Sequence, residues 1–311
     1  MFNIENQAKS DKLVDLNYAD LLGRAAAEEI ALSKGKSEKE RYWRAAYEAD
    51  IKAAASYKNA GLIEKAKEFY AFAAKAAQSL SCTIRSEELF WLRRALECYE
   101  KAEDLSSAAK VAAVLAKIDK ENSIVWLEKC FNYDIETNNL QGAAEIAYEL
   151  AISNVILGKK ASSIMWLDEC VHLNNKLADE FEKGSAQDLE LAAKFYLRAA
   201  NAAWWLSYFS GNRELAVKSY GFLKSAINNK PELNLEAKLC LMNAKTAQKL
   251  YFKSNEVYWL QEAIKFCDEA IDKFSEEKEN DEVLESAKGI KISLLLGLFF
   301  SELEKYRGLK L

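Results

Sequence analysis

Apolar residues recur every three to four positions along almost the whole chain, which is the spacing of one helix face. Nowhere do Val, Ile and Thr alternate with polar residues between turn clusters, as strands require. The periodicity lapses at Gly35, Gly61, Asn138–Asn139, Gly158, Gly184, Gly211 and in "NNKPE" (228–232), where Pro231 suits the first turn of a new helix. Between these breaks the pattern predicts about twelve helices, thirteen if the faint break at 103 is counted, over 11–33, 38–60, 62–80, 86–102, 104–118, 122–137, 140–157, 160–182, 187–209, 213–228, 232–253, 256–275 and 281–307. No stretch between them is long or low enough in complexity to part domains. One continuous body over 1–311 is expected, with helical hairpins over about 1–230 and a C-terminal helical bundle or cap over about 231–311.

The segment "YKNAGLIEKAKEFYAFAAKAA" (57–77) shows how such hairpins would pack. Two antiparallel helices approach closely only where small residues face large ones. Ala54 and Ala66 are the small positions, Tyr57 fills the space beside Ala54, and Gly61 accommodates the turn. Tyr70 and Ala73 then offer a large and a small surface to the next hairpin. These separations match the tetratricopeptide repeat (TPR) consensus. The pattern returns at Tyr99, Ala108 and Ala112, at Asn139, Ala144, Tyr148 and Ala151, at Gly211, Ala216 and Tyr220, and at Ala263 and Ala270. A single hairpin cannot bury its apolar face alone, so the units must stack. The expected fold is all-α: a TPR-like right-handed superhelix of antiparallel hairpins, with a concave face lined by first helices and a C-terminal helical cap.

Composition agrees: one proline and 11 glycines in 311 residues leave few breakers, and the helix formers Ala, Leu, Glu and Lys dominate. The net charge of −5 and the lack of a basic stripe exclude non-specific nucleic-acid binding. The six cysteines are widely spaced without a CxxC, and "MFNIENQAKSDKL" has no apolar targeting core. Reduced, mostly buried thiols in a cytoplasmic protein are expected. "SLLLGLFF" (293–300) is far too short to span a membrane, so peripheral association is the most it allows.

Candidate chemistry is sparse. His172 is the one histidine, and Cys170, two residues away, falls on another helix face. There is no clustered Cys/His set for zinc, no GxxxxGK[ST] and no GxGxxG. "SKGKSEKE" (33–40) reads as a solvated turn, and carboxylate pairs such as Glu28–Glu29 and Asp179–Glu180 as solvated helix faces. The sequence therefore predicts no enzyme, no cofactor and no metal. An enzyme in a helical shell would have to use His172 or a buried acid.

The seven tryptophans fall about once per hairpin, as core packing between helices would place them. If Gly211 marks a turn, the preceding helix directs Arg198, Asn201, Trp205 and Tyr208 to the concave side, making Trp205 and Tyr208 candidate apolar anchors. The same register puts Lys58, Arg93 and Lys129 near that face, where they would favour an acidic helical or extended protein partner.

Several blocks, in order, resemble the soluble NSF attachment proteins, the α-SNAP family: "YEADIKAAASYKNAGLIEKAKEFYAFAAKAA" (47–77), "EDLSSAAKVAAVLAKI" (103–118), "LAAKFYLRAANAAWWLSYFSGNRELAVKSYGFL" (191–223) and "EAKL" (236–239). That resemblance implies a twisted sheet of hairpins closed by a C-terminal bundle, acting as an adaptor that wraps a SNARE four-helix bundle and recruits a AAA+ ATPase in vesicle trafficking. It places Lys110 at a basic SNARE-contacting position and Lys194 at another basic position. "LSKGKSEKER" (32–41) is polar where the family has an apolar membrane-touching loop, and "YRGLKL" (306–311), with Leu309 and Leu311, is basic where the family is acidic. The alternative is a generic TPR scaffold or regulatory protein with an unknown peptide partner. The carboxylate clamp of TPR co-chaperones is not matched, because Ile51 and Ala55 occupy the corresponding first-helix positions.

Overall fold

The computed structural model describes residues 36–229, 231, 233–254, 256–276 and 284–296. The helix expected over 11–33, the loop at 32–35, Glu28–Glu29 and the C-terminal "YRGLKL" with Leu309 and Leu311 lie outside the described residues.

The described chain is an all-α, TPR-like series of helices. They are α1 (Lys36–Asn59), α2 (Ile63–Thr83), α3 (Glu88–Ala102), α4 (Leu105–Ile118), α5 (Ser123–Glu136), α6 (Leu140–Ile156), α7 (Lys160–Phe181), α8 (Ala186–Ser210), α9 (Arg213–Asn228), α10 (Leu233–Ser254) and α11 (Val257–Glu276). Residues 284–296 are also helical. Short 3₁₀ turns, Arg85–Glu87 and Lys120–Asn122, lead into α3 and α5. "SKGKSEKE" does not stay a turn throughout, since α1 already starts at Lys36. Two compact units divide the chain between Asn139 and Leu140, the first holding α1–α5 and the second α6–α11.

Turns and caps explain the boundaries. Gly61, Gly158 and Gly211 sit at positive φ (+78°, +70° and +73°), the left-handed conformation glycine adopts without a Cβ penalty. Asn138 and Glu103 hold the same conformation, each at φ 57°, so the turn with the faintest sequence signal is made by a residue ill-suited to it. Ser185 and Asp188 form a reciprocal capping box at the start of α8, and Asp104 and Asn212 cap α4 and α9.

Within each unit, helices adjacent in sequence pack against each other as hairpins. The small–large pattern is what packs them. In the first unit Ala54, Tyr57 and Ala66 are buried, Tyr57 stacks on Phe69 at 5.1 Å between ring centroids, and Tyr70 packs against this cluster from its edge. Ala73, Ala95, Ala108 and Ala112 are wholly buried along the same unit. In the second unit Ala216, Tyr220, Ala263 and Ala270 lie in a core that also takes Ala287 and Leu294 from the helical segment 284–296, as expected of a covering C-terminal helix.

Alternate helices are tied side by side by a device that recurs among the described residues. An indole N–H and an arginine from the neighbouring helix both reach one carboxylate at the entry to a helix. Glu87 accepts from Trp91 Nε1 (2.9 Å) and pairs with Arg44 (2.8 Å). Asp119 accepts from Trp126 Nε1 (3.0 Å) and pairs with Arg93 (2.6 Å). Glu256 accepts from Trp259 Nε1 (3.0 Å) and pairs with Arg213 (2.7 Å). In the first two, the guanidinium also lies over the indole, at 5.0 and 5.7 Å. These clasps join α1 to α3 and α3 to α5 in the first unit, and α9 to α11 in the second. These three tryptophans thus serve packing, organised by carboxylates, and Asp119 is itself buried.

Candidate functional site

α6, α8 and α10 of the second unit flank two grooves whose floors come from α7 and α9. The larger, about 310 Å³, lies between α6 and α8 and is lined by Ala144, Glu145, Tyr148, Cys170, Asn174, Arg198 and Asn201. Arg198 reaches across to Glu145 at 2.9 Å, an exposed pair worth well under about 1 kcal/mol. The smaller, about 160 Å³, lies between α8 and α10, where Asn201, Trp204, Lys245, Thr246 and Lys249 converge. Asn201 borders both grooves.

Helical register builds this face. Positions 198, 201, 205 and 208 fall on one side of α8. Arg198 and Asn201 enter the groove, Trp205 lies beside the Tyr148 side chain, and Tyr208 stands out 66% exposed, with its ring 5.9 Å from that of Trp205. Phe209 stacks on Trp205 at 5.9 Å and completes an aromatic ledge.

Burial perturbs two titratable groups of the larger groove. Burial raises the Cys170 thiol to about 12, so it stays protonated and non-nucleophilic at neutral pH. Burial also raises the Tyr148 hydroxyl. His172 is exposed and points away from buried Cys170. Asn174 is 1% exposed; its Nδ2 donates to the Cys170 carbonyl at 2.8 Å, while its Oδ1 has no donor among the described residues. All six cysteines are free, and Cys82 alone is exposed. Among the described residues no three His, Cys, Asp or Glu side chains gather to hold a metal, and no helix is long and apolar enough to cross a membrane.

The predicted basic residues fall in different settings. Arg93 and Lys129 both lie over the Trp126 ring in the first unit, but both are engaged: Arg93 with Asp119, and Lys129 with Glu100 at 2.8 Å. Tyr133 donates to the same Glu100. Lys194 pairs with Glu190 at 2.5 Å along its own helix. Lys58 lines a separate cavity of about 260 Å³ with Lys67, Tyr70, Glu100, Lys101 and Glu103. Lys110 is exposed on α4. Sequence reasoning did not find Asn174, Lys245 or Lys249. The lysines sit four apart on one helix face, a signal that is visible, whereas nothing in the sequence marks which asparagine loses its partner.

A scan of protein-family models finds no match to the chain, and a search of curated proteins finds none. Solved structures that share its helical character include a circular tandem repeat protein with novel repeat topology (15% identity over 95% of this chain and 80% of that one, TM-score 0.37). Others are the de novo designed helical repeat protein DHR64 (16% identity, 83% and 99% coverage, TM-score 0.21) and the TPR domain of P58(IPK) (11% identity, 90% and 99% coverage, TM-score 0.15).

Proposed function

We propose that the protein is a non-enzymatic adaptor that binds another protein through the α6–α8–α10 face. The observation that carries this reading is the ledge of Trp205, Tyr208 and Phe209 held beside an open groove. Aromatic side chains offer large contact area at low entropic cost, and exposed ones beside a cavity are the usual anchors of an interface. The protonated Cys170 and the remote His172 support a binding role rather than catalysis. The test is capture of partners from native lysate by the whole protein and by the Trp205→Ala/Tyr208→Ala variant, with helicity checked by circular dichroism. The adaptor reading expects a retained protein that the folded variant loses. Equal recovery by both would contradict it.

The family resemblance narrows the partner to a SNARE-like coiled-coil bundle and adds a AAA+ ATPase that would act on it. Exposed Lys58 and Lys110, neither in an ion pair with any described residue, support an electrostatic contact with such a bundle. A purified four-helix SNARE-type bundle should bind, and Lys58→Glu/Lys110→Glu should weaken binding and flatten its salt dependence. Identical salt curves for the two proteins would remove the SNARE-specific reading and leave the generic scaffold.

A further inference from the structure

Three features of the second unit ask for one kind of ligand. Asn174 lines the larger groove, and its buried Oδ1 lacks a donor among the described residues. An amide oxygen can only accept, and an unmet buried acceptor is costly, so a ligand N–H placed there gains what the free protein lacks. Lys245 and Lys249, in the adjoining groove, are exposed, and neither forms an ion pair with any described residue. Lys249 lies 4.4 Å from the centroid of the Trp204 ring, which fixes its ammonium over the groove. Thr246 and Ser219 offer no competing group, since their hydroxyls already donate to the carbonyls of Met242 and Ala200. Asn201 borders both cavities, so they run on from one another across α8.

We propose that the two grooves form one seat for an extended acidic peptide segment. A backbone N–H of the segment donates to Asn174 Oδ1, and its carboxylates, a few residues along, meet Lys245 and Lys249. An extended chain repeats amides and side chains about every 3.3 Å per residue, so one segment can satisfy both grooves, as a compact small molecule could not. The inference rests on the adaptor reading and deepens it by naming the partner's chemistry.

The test selects a displayed random dodecapeptide library on the full-length protein, then measures binding of the leading peptide, made with a fluorescein label. Asp and Glu should be enriched over the input library. Lys245→Glu/Lys249→Glu, on exposed side chains, should weaken binding about tenfold or more. Asn174→Leu should weaken it about tenfold while leaving the thermal midpoint little changed, because the unmet acceptor it removes offsets the one bond that Nδ2 donates to the Cys170 carbonyl; a purely structural asparagine would lower the midpoint and leave binding unchanged. N-methylation of one peptide amide should reproduce the Asn174→Leu loss and add nothing to it. No selected peptide, no acidic enrichment, or undiminished binding to the lysine variant would overturn the seat. Any of these alongside partner capture that still needs Trp205 and Tyr208 would leave the adaptor reading standing. Capture that ignores Trp205 and Tyr208 would sink the adaptor reading itself.

Discussion

Ala54 is wholly buried against Tyr57 and Phe69, so its methyl sets how closely α1 and α2 approach. Ala54→Leu should cost about 1–3 kcal/mol through overpacking, read as a lower urea midpoint at constant slope. An unchanged midpoint would mean that the small–large pattern does not govern the packing. This layer was legible because a small residue beside an aromatic, repeated at fixed separations, has few other uses. Asn174 was not, because an orphaned amide oxygen depends on what surrounds it in space. Asp119 was equally hidden in the sequence, because nothing local shows that Arg93 and the Trp126 indole converge on it. Those partners, the indole N–H first and the guanidinium second, hold its carboxyl down to about 2. A depressed carboxyl contributes stability that is present above its ordinary value near 3.8 and is lost as pH falls through about 2. Asp119→Asn should therefore lower stability at pH 7 and flatten the fall of the urea midpoint between about pH 4 and 2.

At the scale of elements, the predicted helix boundaries agree with α1–α11 to within about three residues. Breakers made most of them easy to place. The α3–α4 junction is the exception, since Glu103 enters the left-handed region without being glycine or asparagine. Glu103→Gly should relieve that strain. It also removes an exposed pair with Lys67 (2.7 Å), so the net gain should be about 1 kcal/mol or somewhat less in a urea titration. A loss would show that the ion pair outweighs the backbone. The clasps at Glu87, Asp119 and Glu256 belong to this scale as well. The sequence displays them as an acid three to seven residues before a tryptophan at a helix start, a recurrence that becomes meaningful once the arginine of the neighbouring helix is seen to join it.

At the scale of the whole molecule, a net charge of −5 coexists with a groove in the second unit bearing Lys245 and Lys249, neither in an ion pair with any described residue. Overall charge therefore says little about the partner, and local charge decides. Amide hydrogen exchange of the full-length protein, free and saturated with its selected peptide or captured partner, tests the central claim most directly. Added protection should fall on α6, α8 and α10, strongest near Tyr148, Asn201 and Lys245. Protection confined to α1–α5, or absent everywhere despite binding, would contradict the assignment of this face as the interaction surface.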